Sequence, residues 1–308
     1  MMLKIRAYEN GPMVSKLGFG CAPVMGRVSR RQSLRAMELA YEYGITHFDI
    51  ARSYGFGDAE KVLGDFALQG NRRITITTKF GVVPPNLKTY QRVARPFLRK
   101  VKNNFSFMQK VLKNNSSKLL SERRYDLEYC RSCLETSLRV LRKEQIDFYL
   151  IHEPEIKNLV ELDGLKNFLD DQVLSGKIGR WGIALPELEN LSQLSQVGSI
   201  QQYPSFINDR PTFKYSTSDF KFITRPLNGG GALRSSLTMK VSNALEVSTH
   251  DAAFALAGYQ AGINGSIIVG MFNEEHITQN VDAMKTYLKN KELFDQVISK
   301  ILSEALHV

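Results

Sequence analysis

The sequence predicts an α/β protein built as a closed (β/α)8 TIM barrel, and three observations carry that expectation. Eight short apolar segments that read as strands recur along the 308 residues, mostly separated by stretches with helical periodicity. Alternation of this kind calls for parallel strands joined by crossover helices. Eight such units also suit a barrel, which usually needs roughly 250 residues. The competing doubly wound sheet would show a G-x-G-x-x-G turn after an early strand, and none is present.

The elements follow in order. LKIRAYENGPMVSKLGFG opens with two short runs around Asn10-Gly11, a dipeptide suited to a turn with positive φ, and predicts an N-terminal β-hairpin. KLGFG is then the first barrel strand. Ser29-x-x-Gln32 reads as a capping box for the helix RRQSLRAMELAYEYG, and Gly44 suits the position just past its end. Strand ITHFDI, helix GDAEKVLGDFAL and strand ITITTKF come next. Helix DLEYCRSCLETSLRVLR, strand IDFYLIH, helix LDGLKNFLDDQVLSGK, strand IGRWGIA and helix ELENLSQLSQVG continue the pattern. The last strands are SIQQY, FKFITRP and GSIIVG. THDAAFALAGYQAG, NEEHITQNVDAMKTYLKN and KELFDQVISKILSEAL read as the last helices.

Composition sets the class. A hydrophobic content of 43% suits an ordinary globular chain. No apolar run approaches the ~18 residues of a membrane span, and MMLKIRAYENG lacks an apolar leader core, so the expected compartment is the cytoplasm. Cys21, Cys130 and Cys133 fit a reducing environment without disulfides. Cys130-x-x-Cys133 has half-site spacing for a metal, but it lies on an amphipathic helix with no second CxxC, and reads as structural. No metal is expected.

The charge is local. Between Pro84 and Tyr125 eleven basic residues face one acidic residue, Glu122, which equals the whole net charge of +10. The sequence thus reads as a single barrel domain, 1–308, in which 84–125 is a basic insertion after the third barrel strand, at the substrate mouth. Three readings of that insertion compete. It is a lid, packing Phe97, Phe105, Phe107 and Met108 over the pocket and steering acidic substrates. It is a docking surface for an acidic partner, nucleic acid or anionic membrane. Or it is a solvated insertion without function.

In a barrel the C-terminal ends of the strands surround one mouth, where active sites lie. Asp49 ends the second strand with Tyr54 just beyond, Lys79 ends the third and His152 the fourth. Their chemistry is complementary. A tyrosine titrates near 10 in water, and an adjacent ammonium would lower that value. The ammonium needs a carboxylate partner if buried, which Asp49 could supply. A histidine can orient a substrate carbonyl. Each residue also has an ordinary structural reading, as loop cap, rim residue, snorkelling lysine or core histidine. Four coincident placements argue for carbonyl reduction or its reverse, with hydride from a cofactor.

These motifs resemble the aldo-keto reductase family over nearly the whole chain. VSKLGFGCAPVMG, AYEYGITHFDIARSYGFGDAEKVLG, TITTKFG, LETSLRVLRKEQIDFYLIHEP and GKIGRWGIA follow in family order. The resemblance implies a reversible, metal-free reduction of an aldehyde or ketone by NADPH, with NADH as the alternative, in a monomer. It implies Tyr54 as general acid/base, Lys79 and Asp49 tuning it, and His152 orienting the carbonyl. For the cofactor it implies Gln201 at the nicotinamide carboxamide. It also implies Pro226, Leu227, Gly229, Gly230 and Gly231 along the pyrophosphate, Arg225 near the mouth at the nicotinamide end, and Gly270, His276 and Asn280 around the adenosine end. The chain departs from the family pattern at Ala184 and Leu185, where Ser-Asn is common, and at Thr224, where an aromatic often stands. It departs again at the 2′-phosphate positions, which hold Gly270 or Met271 and His276 beside Glu274 and Glu275. Two other functions use the same barrel: a nucleotide-binding sensor with little turnover, and a lyase forming a Schiff base through Lys79.

Overall fold

A computed structural model describes residues 2–84, 122–155, 162–186, 194, 197–205 and 220–305. Strands β1 (Lys4–Arg6) and β2 (Met13–Ser15) pair antiparallel with Ile5 opposite Val14. In the turn between them Asn10 takes the left-handed conformation (φ 57°), and a Cβ on Gly11 would stand 2.6 Å from the Tyr8 ring. Both residues of the expected dipeptide are therefore needed, for different reasons.

Eight further strands close into the predicted barrel. They are β3 (Leu17–Gly20), β4 (His47–Asp49), β5 (Thr75–Phe80), β6 (Ile146–His152), β7 (Ile178–Ala184), β8 (Ile200–Pro204), β9 (Lys221–Thr224) and β10 (Gly265–Val269). Neighbours in this sequence pair parallel, and β10 returns to pair with β3. The helices are α1 (Arg30–Glu42), α2 (Ala59–Gln69), α3 (Leu127–Leu141), α4 (Leu162–Leu174), α5 (Ser236–Leu245), α6 (Thr249–Ala261), α7 (Glu274–Lys289) and α8 (Lys291–Ala305). Helix α1 starts where expected, the Ser29 hydroxyl accepting the Gln32 N–H at 3.3 Å. It ends with Gly44 N–H on Tyr41 O and Ile45 N–H on Ala40 O, the paired bonds of a Schellman motif. Helix α5 was not anticipated: only Leu237, Thr238 and Val241 are buried in its ten residues, too few for a clear apolar period. The helix expected at ELENLSQLSQVG lies largely outside the described residues.

Two apolar layers hold the barrel. Outward-facing strand residues such as Phe48, Tyr149 and Ile183 pack under the helices. Inside, Phe148, Leu150, Ile200, Phe220, Phe222 and Ile268 fill the lumen, and Ala7 and Val14 of the hairpin close its bottom. His47 belongs to this plug. Its ring stacks on Phe222 at 4.6 Å and bonds Thr75 at 2.9 Å. Burial pushes its pKa down to about 3, so the ring is neutral. Cys130 and Cys133 are buried free thiols on α3, both pushed up chiefly by burial, as inert structural thiols are.

The insertion of residues 84–125 lies outside the described residues except for its ends, and those ends meet. Val83 N–H donates to Glu122 O and Arg124 N–H to Gly81 O, each at 2.8 Å. The segment leaves and rejoins the barrel at one point, just past β5. Among the described residues no helix is long and apolar enough to cross a membrane.

Candidate functional site

The site follows from strand alternation. Phe48 and Tyr149 face the helices, so Asp49 and His152 face inward at the strand ends, and Lys79 does the same on β5. Lys79 Nζ donates to Asp49 Oδ2 at 2.7 Å and to Ile50 O at 2.9 Å, and the lysine is 1% exposed. Tyr54 opens a tight turn, Tyr54–Gly57, directly after β4. Gly55 in that turn has φ 58°, and a Cβ there would stand 2.6 Å from Val24 O, so only glycine fits. The turn brings the Tyr54 ring centroid to 5.2 Å from Lys79 Nζ and 5.8 Å from the His152 ring. All four sequence-predicted residues therefore converge.

His152 is set from behind. The Tyr125 hydroxyl donates to His152 O at 3.0 Å and Glu153 O at 2.9 Å. His152 Nδ1 is buried without a hydrogen-bond partner among the described residues. Burial, reinforced by Lys79, Arg123 and Arg225, pushes the imidazole well below its ordinary pKa, so it is neutral. Burial also works against the Lys79 ammonium, but Asp49 and Tyr54 outweigh it and hold the pKa above that of a free lysine. For Tyr54 the outcome differs from the sequence reading. Lys79 does pull the phenol down, but burial is the larger effect and the net shift is upward.

A cleft of about 860 Å³ opens over this cluster. Asp49, Tyr54 and His152 lie in it, with Ala184, Leu185 and Thr224 beside them. Arg225, Pro226, Leu227, Gly229 and Gly230 form one wall, and Gly270 and His276 line the far end.

Three residues expected at the cofactor do not line this cleft. The glutamine facing the cleft is Gln202, not Gln201. Gln202 Nε2 donates to Asp49 Oδ1 at 2.7 Å, whereas Gln201 lies in register with Ile183 on the outer face of the sheet. A shift of one residue along a strand reverses the face. Asn280 does not line the cleft: its side chain is buried, with Oδ1 3.0 Å from His250 Nε2 and Nδ2 on Met271 Sδ. Gly231 does not line it either. Its N–H donates to Asn228 O and that of Gly230 to Leu227 O, so between 228 and 232 only the Gly229 amide stays out of the loop's own bonds.

Among the cleft residues not singled out from the sequence are two charged ones, Arg27 and Glu153. Arg27 comes from the β3–α1 connection and Glu153 follows His152. Glu153 has φ 52°, unusual for a side chain of this kind, and pairs with Arg123 at 2.9 Å. Arg27 lies in none of the quoted motifs, and Glu153, though inside LETSLRVLRKEQIDFYLIHEP, has no role implied there. Among the described residues no group of three or more His, Cys, Asp or Glu could hold a metal ion.

The sequence model of the aldo/keto reductase family matches residues 16–208. The chain belongs to that family. A curated aldo-keto reductase from Glycine max is 28% identical over 185 residues, which is 58% of this chain and 44% of that protein. Pyridoxal 4-dehydrogenase from Microbacterium luteolum is 38% identical over 90 residues, 28% of this chain and 25% of that protein. The matched part thus spans less than half the length of these relatives. Among solved structures, an aldo-keto reductase from Klebsiella pneumoniae in complex with NADPH is 19% identical with a TM-score of 0.61, covering 96% of each chain. The glycerol dehydrogenase of Gluconobacter oxydans is 18% identical with a TM-score of 0.65, covering 96% of this chain and 95% of that one. These likenesses show the same family fold, an eight-stranded parallel barrel.

Proposed function

We propose that this member of the family is an NADPH-dependent oxidoreductase that reversibly reduces an aldehyde or ketone, with Tyr54 as general acid/base. The observation that carries this reading is the Lys79–Asp49 pair at 2.7 Å, set against the Tyr54 ring and opposite His152 in one cleft.

The residues present fit a nicotinamide dinucleotide. Nothing lies within 4 Å of where a Cβ would stand on Gly229 or Gly230, so that wall is open to close approach, and the Gly229 amide is uncommitted within the loop. Arg27, Arg225 and His276 line the same cleft and suit phosphate oxygens. Bound there, the dinucleotide would supply hydride to the carbonyl carbon. The neutral His152 would donate a ring N–H to the carbonyl oxygen and orient it. Tyr54 would then deliver its proton to that oxygen, and the fixed Lys79 charge would stabilise the phenolate left behind. Gln202, bonded to Asp49 and lining the cleft, would meet the nicotinamide end. The held charge on Lys79 counts against a Schiff-base role, which needs a free amine.

The test is NADPH titration followed by a panel of aldehydes and ketones, with Tyr54→Phe beside the wild type. A fall in kcat of at least ~10²-fold is expected for the variant. Equal activity would remove Tyr54 from the proton transfer.

A further inference from the structure

We propose that the ion pair between half-buried Arg52 and buried Glu60 is a positioning device that sets the Tyr54 hydroxyl against Lys79; the proposal rests on the reading of Tyr54 as proton donor. The turn that carries Tyr54 has an unusual backbone. Gly55, Phe56 and Gly57 are consecutive left-handed residues, with φ of 58°, 62° and 90°. A run of this kind is not one the local chain favours by itself, least of all at a phenylalanine. Within the turn Tyr54 N–H donates to Ala51 O at 3.0 Å, and Asp58 N–H to Gly55 O at 3.3 Å and to Tyr54 O.

Arg52 holds the turn. Its Nη1 donates to Gly57 O at 3.0 Å and to Glu60 Oε2 at 2.6 Å, so one guanidinium spans the turn and grips the first turn of α2. Glu60 has no solvent exposure. Its other oxygen, Oε1, accepts the hydroxyls of Thr78 on β5 and Ser137 on α3, both at 2.7 Å. Thr78 immediately precedes Lys79, and the Arg52 backbone N–H donates to Lys79 O at 2.9 Å. The tyrosine turn and the lysine strand are thus joined twice, once through the backbone and once through a fully satisfied carboxylate.

Stability alone gives little reason for this arrangement. A buried ion pair is often matched by well-packed apolar side chains of similar volume. What apolar side chains cannot do is hold Gly57 O in place and transmit the position of β5 to the turn. The pair touches no reacting atom; it acts through Tyr54.

The experiment replaces both partners, Arg52→Met with Glu60→Met, so that no buried charge is stranded. In the folded double variant kcat for carbonyl reduction should fall roughly 30-fold, as expected for a misplaced catalytic group, while KM for the dinucleotide changes less than about threefold. Arg52→Lys alone, which keeps a cation beside Glu60, should retain most of kcat. The second readout needs no turnover: with [ζ-13C]tyrosine labelling, the Tyr54 resonance, assigned by its loss in Tyr54→Phe, should move in the double variant. Unchanged kcat, or an unmoved Tyr54 resonance, overturns the proposal. If the wild type reduces no carbonyl, the functional reading fails, and the resonance alone decides whether the pair sets the surroundings of Tyr54. If the double variant does not fold, Arg52→Gln carries the same two readouts.

Discussion

Asp49 holds two donors at once, Lys79 on one oxygen and Gln202 on the other, each at 2.7 Å. This keeps the ammonium in place whether or not Tyr54 is ionised, the condition for a lysine that tunes a neighbour without exchanging protons with it. The pH behaviour follows from the same residues. In the proposed reduction Tyr54 must be protonated to act as the acid, and its pKa lies above the ordinary tyrosine value. His152 lies well below its ordinary value and stays neutral. The kcat/KM for reduction should therefore be flat from about pH 6 to 9 and fall only as pH rises past the tyrosine's own pKa. An acid limb near pH 6.5 that vanishes on replacing His152 would contradict this.

At the scale of elements, β5 and β6 carry two of the four site residues, and a buried carboxyl ties them together. Asp147 Oδ2 on β6 accepts the Ile76 N–H of β5 at 2.9 Å, and burial raises its pKa to about 6. A carboxyl raised in the folded state keeps its proton where the unfolded chain has lost it. The penalty is thus absent below about pH 4, grows as pH rises, and is complete above about pH 6. Asp147→Asn keeps the acceptor and removes the charge, so it should stabilise the protein by about 1 kcal/mol at pH 7.5 and not at pH 3.5. Partial exposure of the carboxyl keeps the penalty below that of full burial. Thermal melts at the two pH values check it; equal effects at both would refute the assignment. Element-level reading of the sequence did well where a period was clear. The eight strands were legible from apolar runs between turn residues, and α1 from Ser29 and Gly44. Helix α5 was not, because three buried positions in ten make no stripe. Gln201 was expected in the cleft that Gln202 lines, because two adjacent glutamines on a strand differ only in the face they take.

For the molecule as a whole, we propose that the insertion is separable from the barrel. Gly81, Val83, Glu122 and Arg124 close its two ends with a pair of backbone hydrogen bonds. Loop entropy depends only weakly on length once the ends are held. Deleting residues 88–118 and joining the ends with a short turn should leave a cooperatively folded barrel whose melting temperature changes by no more than about 5 °C. Loss of cooperative melting would show that the insertion is part of the core.

The boundary between sequence and structure runs through the site itself. The sequence alone determined the barrel and the convergence of Asp49, Tyr54, Lys79 and His152. Alternation along a strand is a local property, and closure brings strand ends together whatever fills the space between. Only the tertiary structure decided that Gln202 meets Asp49, residues 153 apart. Only it showed that the Gly230 and Gly231 amides serve their own turn, and that burial outweighs Lys79 in setting the Tyr54 proton. Each of these depends on which groups lie within a few ångströms and how much water is excluded from them, and neither quantity is written in the order of residues.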